Sequence, residues 1–277
     1  MSFDAENHVL YRIANAPLLA YPFPHFYVES VFPADFYAAL RARLPEAAAY
    51  TRLDETGTVS KGAYPERSVC SLLDLEEYEA TRNAGSFWAD LNSWLMSERF
   101  PHLVAGKFRD GIIARYGADA ELNMHMDCRL VRDLTRYAIS PHTDTPTKLV
   151  SLLFYLPPDD RYAHLGTSVY APRDPDMPVK GNTHLPFEAF KKVITMPFKP
   201  NSLFGFLRTD GSFHGVDQIH DEGVVRDLLL YNIYVPKGAT SATAPAGGAD
   251  AALEGAVASA APVASAGSGL WPWRRRK

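Results

Sequence analysis

His142, Thr143 and Asp144 place an imidazole and a carboxylate one residue apart, and His214, within Ser212-Phe213-His214-Gly215-Val216, offers a second imidazole. Two histidines and one carboxylate on one face of an ion leave the opposite positions open, a ligand set that suits Fe(II) and O₂ chemistry. On extended backbone the side chains i and i+2 point the same way, so His142 and Asp144 can grip one ion together. His214 must then arrive from another strand of a closed sheet. Arg226 opens the apolar run Leu228-Leu229-Leu230-Tyr231. An arginine in that setting needs a buried partner, and its planar fork suits the carboxylate of a ligand. An ordinary ion pair with Asp221, Glu222 or Asp227 would satisfy it as well.

A second His-x-Asp, His125-Met126-Asp127, lies in another strand-like stretch and could pair with His214. It lacks the long apolar strand that follows Asp144. The plainer reading puts His125 and Asp127 on one face of an outer strand, or against substrate at the mouth of a site. His102, His164, His184 and His220 sit in polar, loop-like contexts and read as surface residues. Lys148 is closer to the chemistry, although a strand-end lysine reaching solvent is its simpler role.

The pieces around the first pair extend the pattern. Pro141-His-Thr-Asp144 is followed by Lys148-Leu-Val-Ser-Leu-Leu-Phe-Tyr-Leu-Pro157, with the length and bulk of a buried strand. Leu165-Gly-Thr-Ser-Val-Tyr170, Asn201-Ser-Leu-Phe-Gly-Phe206, His214 and Arg226 come next. In this order the set resembles the Fe(II)/2-oxoglutarate-dependent dioxygenases, particularly their prolyl-hydroxylase-like branch, over roughly residues 110 to 236. Each piece alone is weak; the ordered set is specific.

The resemblance implies iron on His142, Asp144 and His214, 2-oxoglutarate as cosubstrate and ascorbate as a supporting reductant. It implies hydroxylation of an unactivated C–H bond in a small molecule, peptide or carrier-bound substrate, with release of succinate and CO₂. Arg226 maps to the basic residue that meets the cosubstrate's far carboxylate, and Tyr155 to a tyrosine whose hydroxyl joins it. With Arg226 inward, period two turns Asn232 inward too, as a further pocket residue. Tyr155 also reads as a core tyrosine with its hydroxyl satisfied by backbone. The carboxylate of Asp144 fills the place that halogenating relatives leave open for chloride, which favours hydroxylation or a related desaturation. The rival from another class is a non-catalytic, cupin-like protein that binds or senses a metal and ligand.

Composition sets outer limits. With 277 residues and 47% hydrophobic content, one large β-rich domain can bury its own core. A net charge of −4 argues against a nucleic-acid-binding surface. Cys70 and Cys128 have no metal-ligand spacing and read as reduced thiols in a cytoplasmic protein. The first residues lack a basic-then-apolar signal pattern, and no apolar stretch approaches the roughly 20 residues of a membrane span.

Residues 1–110 read as a mixed, mostly helical region packed on a barrel. Pro33 starts a helix carrying Phe36, Leu40 and Leu44, and residues 74–98 carry Phe87, Leu91, Trp94 and Leu95 at helical spacing. Residues 111–237 break into short strands: Gly111–Tyr116, Leu130–Ile139, Leu149–Leu156, Thr167–Tyr170, Val193–Met196, Ser202–Leu207 and Asp227–Val235. Strands without intervening helices indicate a sandwich or barrel, and the resemblance narrows this to the double-stranded β-helix, a cupin-like jelly roll. Residues 158–166 and 172–191 are long polar loops of the kind that form lids or carry specificity. Residues 238–277 are rich in Ala, Gly, Ser and Pro and read as a disordered tail. It ends Trp271-Pro-Trp-Arg-Arg-Arg-Lys277, a solubilising end or a contact for an anionic membrane surface or a partner protein.

Overall fold

The computed structural model describes residues 2–82, 85–177, 181 and 183–237; the low-complexity stretch and its Trp/Arg end lie outside them. In chain order the first elements are α1 (Ser2–Asn15), β1 (His25–Glu29), α2 (Ala34–Ala42), β2 (Thr51–Arg52), β3 (Arg67–Ser71) and α3 (Leu72–Thr81). Then come α4 (Phe87–Leu95), α5 (Arg99–Lys107) and α6 (Arg109–Tyr116). The strands β4 (His125–Leu134), β5 (Ile139–His142), β6 (Lys148–Tyr155) and β7 (Thr167–Pro172) follow. β8 (Phe190–Met196), β9 (Ser202–Leu207), β10 (His214–Val216) and β11 (Val225–Tyr234) complete the described fold.

From β4 onward the chain passes back and forth between two sheets. The larger runs β1-β9-β6-β11-β4-β3-β2 and the smaller β5-β10-β7-β8, and every paired strand is antiparallel. Strands β4, β6, β9 and β11 in one sheet face β5, β7, β8 and β10 in the other. This alternation is the double-stranded β-helix. Period two divides β11 between two environments. Leu229, Tyr231 and Ile233 belong to the core under the helices, whereas Arg226, Leu228 and Leu230 line a cavity between the sheets.

The helices cover the outer face of the large sheet. Trp88, Leu91, Trp94 and Leu95 of α4 and Phe100 of α5 are buried there. The Tyr231 hydroxyl donates to Leu95 O at 2.9 Å, and its ring meets Phe100 edge-on at 5.1 Å between centroids. Phe32 packs on Phe154 from the connection into α2. Trp94 is therefore a packing residue, as its helical spacing indicates, and Trp88 is buried with it. No helix among the described residues is long and apolar enough to cross a membrane.

Three expectations change. Residues 111–116 form α6 rather than a strand, and the jelly roll opens at His125. The stretch 130–139 is two strands, with Arg136 at φ +77° in the turn between them. The mostly helical first part also contributes β1, β2 and β3 to the large sheet.

Candidate metal centre

The end of β5, the turn after it and the start of β10 bring the three candidate ligands together. His142 is the last residue of β5 and lies in register with His214, the first of β10. Asp144 stands two residues beyond His142, just past the end of β5. One donor atom from each of the three lies within 4.8 Å of the other two, and among the described residues no other such group occurs. Gly215 makes this approach possible, because a Cβ there would stand 2.6 Å from Ile139 O on the facing strand.

Hydrogen bonds fix how the donors point. His142 Nδ1 lies 2.9 Å from Ser140 O and His214 Nδ1 lies 3.0 Å from Ser212 O. A carbonyl can only accept, so both Nδ1 atoms carry the proton and both Nε2 lone pairs are free for a metal. Asp144 Oδ2 accepts from Ser151 Oγ at 3.0 Å and Oδ1 from Lys148 Nζ at 3.0 Å. Arg208 Nε donates to the Asp144 carbonyl at 3.2 Å. The donor set thus fits a divalent cation in charge, tautomer and orientation.

The protonation states agree. Burial, with His214 beside it, holds His142 well below the ordinary histidine range, and burial likewise lowers His214. Burial opposes ionisation of Asp144, but Lys148 and the two histidines outweigh it and hold the carboxyl below its usual range. Both imidazoles are neutral and the carboxylate charged at neutral pH. A histidine held below its unfolded-state value of ~6.5 leaves the native state with fewer bound protons than the unfolded chain at acid pH. Stability of the metal-free protein is therefore expected to be unaffected by these groups above about pH 6.5 and to fall as pH drops below it. Melting curves in chelator at pH 7.5 and 5 test this. A His142→Asn/His214→Asn protein should show a shallower loss, though not none, because His25 is also lowered by burial. An unchanged loss would place the effect elsewhere.

The triad forms one wall of a cavity of about 110 Å³. Leu153, Phe206, Leu228 and Leu230 supply its apolar lining, and Arg67, Arg226 and Lys148 its cationic part. Arg226 is fully buried, as expected, yet its partner is none of the acids near it in sequence. Its Nη1 donates to Asp133 Oδ2 at 2.6 Å, its Nε to Leu165 O at 2.8 Å and its Nη2 to Thr167 Oγ1 at 3.3 Å. Asp133 also accepts from Arg67 Nε at 2.6 Å and Nη2 at 3.0 Å. The three residues are direct cross-strand neighbours on β3, β4 and β11.

Two other expected pocket residues stand apart from the cavity lining. The Tyr155 hydroxyl accepts from Thr167 N at 3.1 Å, and the ring lies behind Arg226 within the core. This is the backbone-satisfied alternative. Asn232 is buried, with its amide nitrogen 3.5 Å from Asp127 Oδ2 and its Oδ1 without a partner among the described residues. His125 is exposed and stacks on Tyr234, while Asp127 pairs with Arg129 at 2.6 Å.

Four residues of the site stand where the sequence gives no sign of them or points elsewhere. Lys148 points to Asp144 and not to solvent. Arg67, on an unexpected strand, lines the cavity. His184, whose polar loop context reads as surface, is exposed but stacks on His142, with centroids 4.5 Å apart. Tyr64, at φ +53°, reaches the Nε2 of His184 at 3.2 Å and so ties two loops together beside the triad.

No family model matches the chain, and no curated protein matches it. Solved structures do. The non-heme alpha ketoglutarate dependent epimerase SnoN from nogalamycin biosynthesis is 14% identical, with a TM-score of 0.44 over 97% of this chain and 98% of that one. An oxidoreductase of the 2OG-Fe(II) oxygenase family from Burkholderia pseudomallei is 15% identical, with a TM-score of 0.42 over 76% and 84%. A Pseudomonas putida prolyl-4-hydroxylase is 14% identical, with a TM-score of 0.40 over 84% and 100%. At these values the likeness says nothing of chemistry.

Proposed function

We propose that this chain is an Fe(II)- and 2-oxoglutarate-dependent oxygenase that hydroxylates a C–H bond of its substrate, with release of succinate and CO₂. The observation that carries this reading is the His142/Asp144/His214 cluster, in metal-ready protonation, on the wall of a cavity that also presents two arginines. A ferrous ion held by these three residues would supply the O₂ chemistry that side chains lack. The remaining work falls to the chain. Lys148 and Ser151 orient the carboxylate of Asp144, and the Nδ1 bonds orient both imidazoles. The apolar wall from Leu153, Phe206, Leu228 and Leu230 keeps stray water away. The positive charge of Arg67 and Arg226 gives the cavity a cationic end that favours an anionic cosubstrate. His184 and Tyr64 stand where a small-molecule, peptide or carrier-bound substrate would approach.

The binding-protein alternative draws on one observation. Arg226 has structural bonds to Asp133 and Leu165, so its presence alone does not demand a dicarboxylate. Succinate separates the two readings without knowledge of the substrate. Incubating the protein with Fe(II), 2-oxoglutarate and O₂ is expected to give slow succinate formation that a chelator stops. Metal-loaded protein that yields no succinate above the background of an Asp144→Ala control would favour the binding reading.

A further inference from the structure

At the Arg67 end of the cavity the two arginines are not equivalent. Arg226 is spent on the protein: Nε, Nη1 and Nη2 each have an acceptor, and its side chain is 1% exposed. Arg67 turns only Nε and Nη2 to Asp133, and its side chain remains 17% exposed. Its Nη1 has no acceptor among the described residues, and it is not among the buried unpartnered atoms. The Arg67 guanidinium lies 4.2 Å over the ring of Tyr137, a fully buried residue lining the same cavity. The Tyr137 hydroxyl is buried with no hydrogen-bond partner among the described residues. A buried hydroxyl without a partner and a guanidinium with free donors on one wall are a costly arrangement unless a ligand completes it.

We propose that Arg67, with the Tyr137 hydroxyl beside it, is the specificity-determining grip for the second carboxylate of a dicarboxylate in this cavity, while Arg226 buttresses Asp133 behind it. This rests on the functional reading above and departs from its sequence-derived form, in which Arg226 and Tyr155 hold that carboxylate. The Arg67 Nη1 and Tyr137 O–H both donate, and a carboxylate presents two acceptor oxygens to them. A monocarboxylate keto acid would leave both donors unmet, which is the stronger basis for rejecting it.

The test compares two keto acids that share a head group, 2-oxoglutarate and 2-oxobutyrate, titrated calorimetrically into protein loaded with redox-inert Ni(II). Wild type should prefer 2-oxoglutarate strongly. Arg67→Met should weaken 2-oxoglutarate on the order of thirty-fold or more and leave 2-oxobutyrate nearly unchanged, collapsing the preference. Tyr137→Phe should cost roughly two- to ten-fold toward 2-oxoglutarate alone. It guards against misfolding, because the hydroxyl it removes has no bond among the described residues. Arg67→Lys should recover part of the preference, which a purely structural role would not require. An Arg67→Met protein that is folded and keeps the wild-type preference overturns the proposal. So does loss of both keto acids in equal measure. Wild-type protein that binds Ni(II) but neither keto acid would overturn the functional reading and this inference with it.

Discussion

Arg226→Leu is expected to destabilise the fold by about 3–5 kcal/mol, the usual consequence of removing one partner from a buried ion pair. For a chain of this size that lowers the melting temperature by roughly 6–20 °C. Arg226 and Asp133 are both fully buried. The substitution removes the 2.6 Å bond to Asp133 and also leaves Leu165 O without its donor. Arg67 retains both of its bonds to Asp133, so the carboxylate keeps one cation and the native state should still be reached at low temperature. Thermal melting of the metal-free protein measures the effect. A variant within about 2 °C of wild type would mean a loss under 1 kcal/mol, and Arg226 would then not be the buttress its contacts describe.

Asp144→Ala is expected to abolish measurable binding of Ni(II) or Co(II), more completely than His142→Ala or His214→Ala. Loss of a supporting residue around a metal typically costs 10- to 100-fold in affinity, and loss of one of only three ligands costs more. At Asp144 a second effect adds to the first. Lys148 lies 3.0 Å from Asp144 Oδ1, and both side chains are 12% exposed. Without the carboxylate that ammonium becomes an uncompensated cation beside the incoming metal. His125→Ala and Asp127→Ala should bind metal as wild type does. Calorimetric titration with circular dichroism of each variant checks both points. Metal binding that survives in Asp144→Ala but is lost in Asp127→Ala would move the centre to the other His-x-Asp.

What the sequence made legible was what depends on local pattern. The i, i+2 placement of His142 and Asp144, the apolar run of β6 and the bounds Ser202–Leu207 of β9 are all features of a few adjacent residues. The features that escaped depend on register between distant strands. Arg67, Asp133 and Arg226 meet only because β3, β4 and β11 are neighbours in one sheet. Charge near Arg226 in sequence pointed instead to Asp221, Glu222 and Asp227, and Asp227 in fact bonds Arg132. Lys148 turned out to face Asp144 because the Thr145–Thr147 turn folds the chain back, with Lys148 N donating to Thr145 O at 3.0 Å.

The misread helix α6 has a different cause. Gly111 beside Ile112 and Ile113 looks like the start of a strand, since glycine and β-branched residues are poor helix formers. In the fold Gly111 serves close packing, because a Cβ there would stand 2.4 Å from Leu207 Cδ2 on β9. Tertiary contact has overridden propensity at this position. Gly117, at φ +92°, then ends the helix in a conformation that suits glycine. His184 escaped because nothing in its own loop signals that Leu185 N bonds Pro141 O at 3.0 Å and so brings the loop against His142.

The central claim, that three protein ligands leave room on a ferrous ion for a chelating keto acid, is tested most directly by visible absorption under anaerobic conditions. Protein is loaded with Fe(II) and titrated with 2-oxoglutarate. The expected result is a weak charge-transfer band that saturates with the cosubstrate and is absent from the His214→Ala protein. Fe(II)-loaded wild-type protein that shows no band at saturating 2-oxoglutarate would contradict the claim.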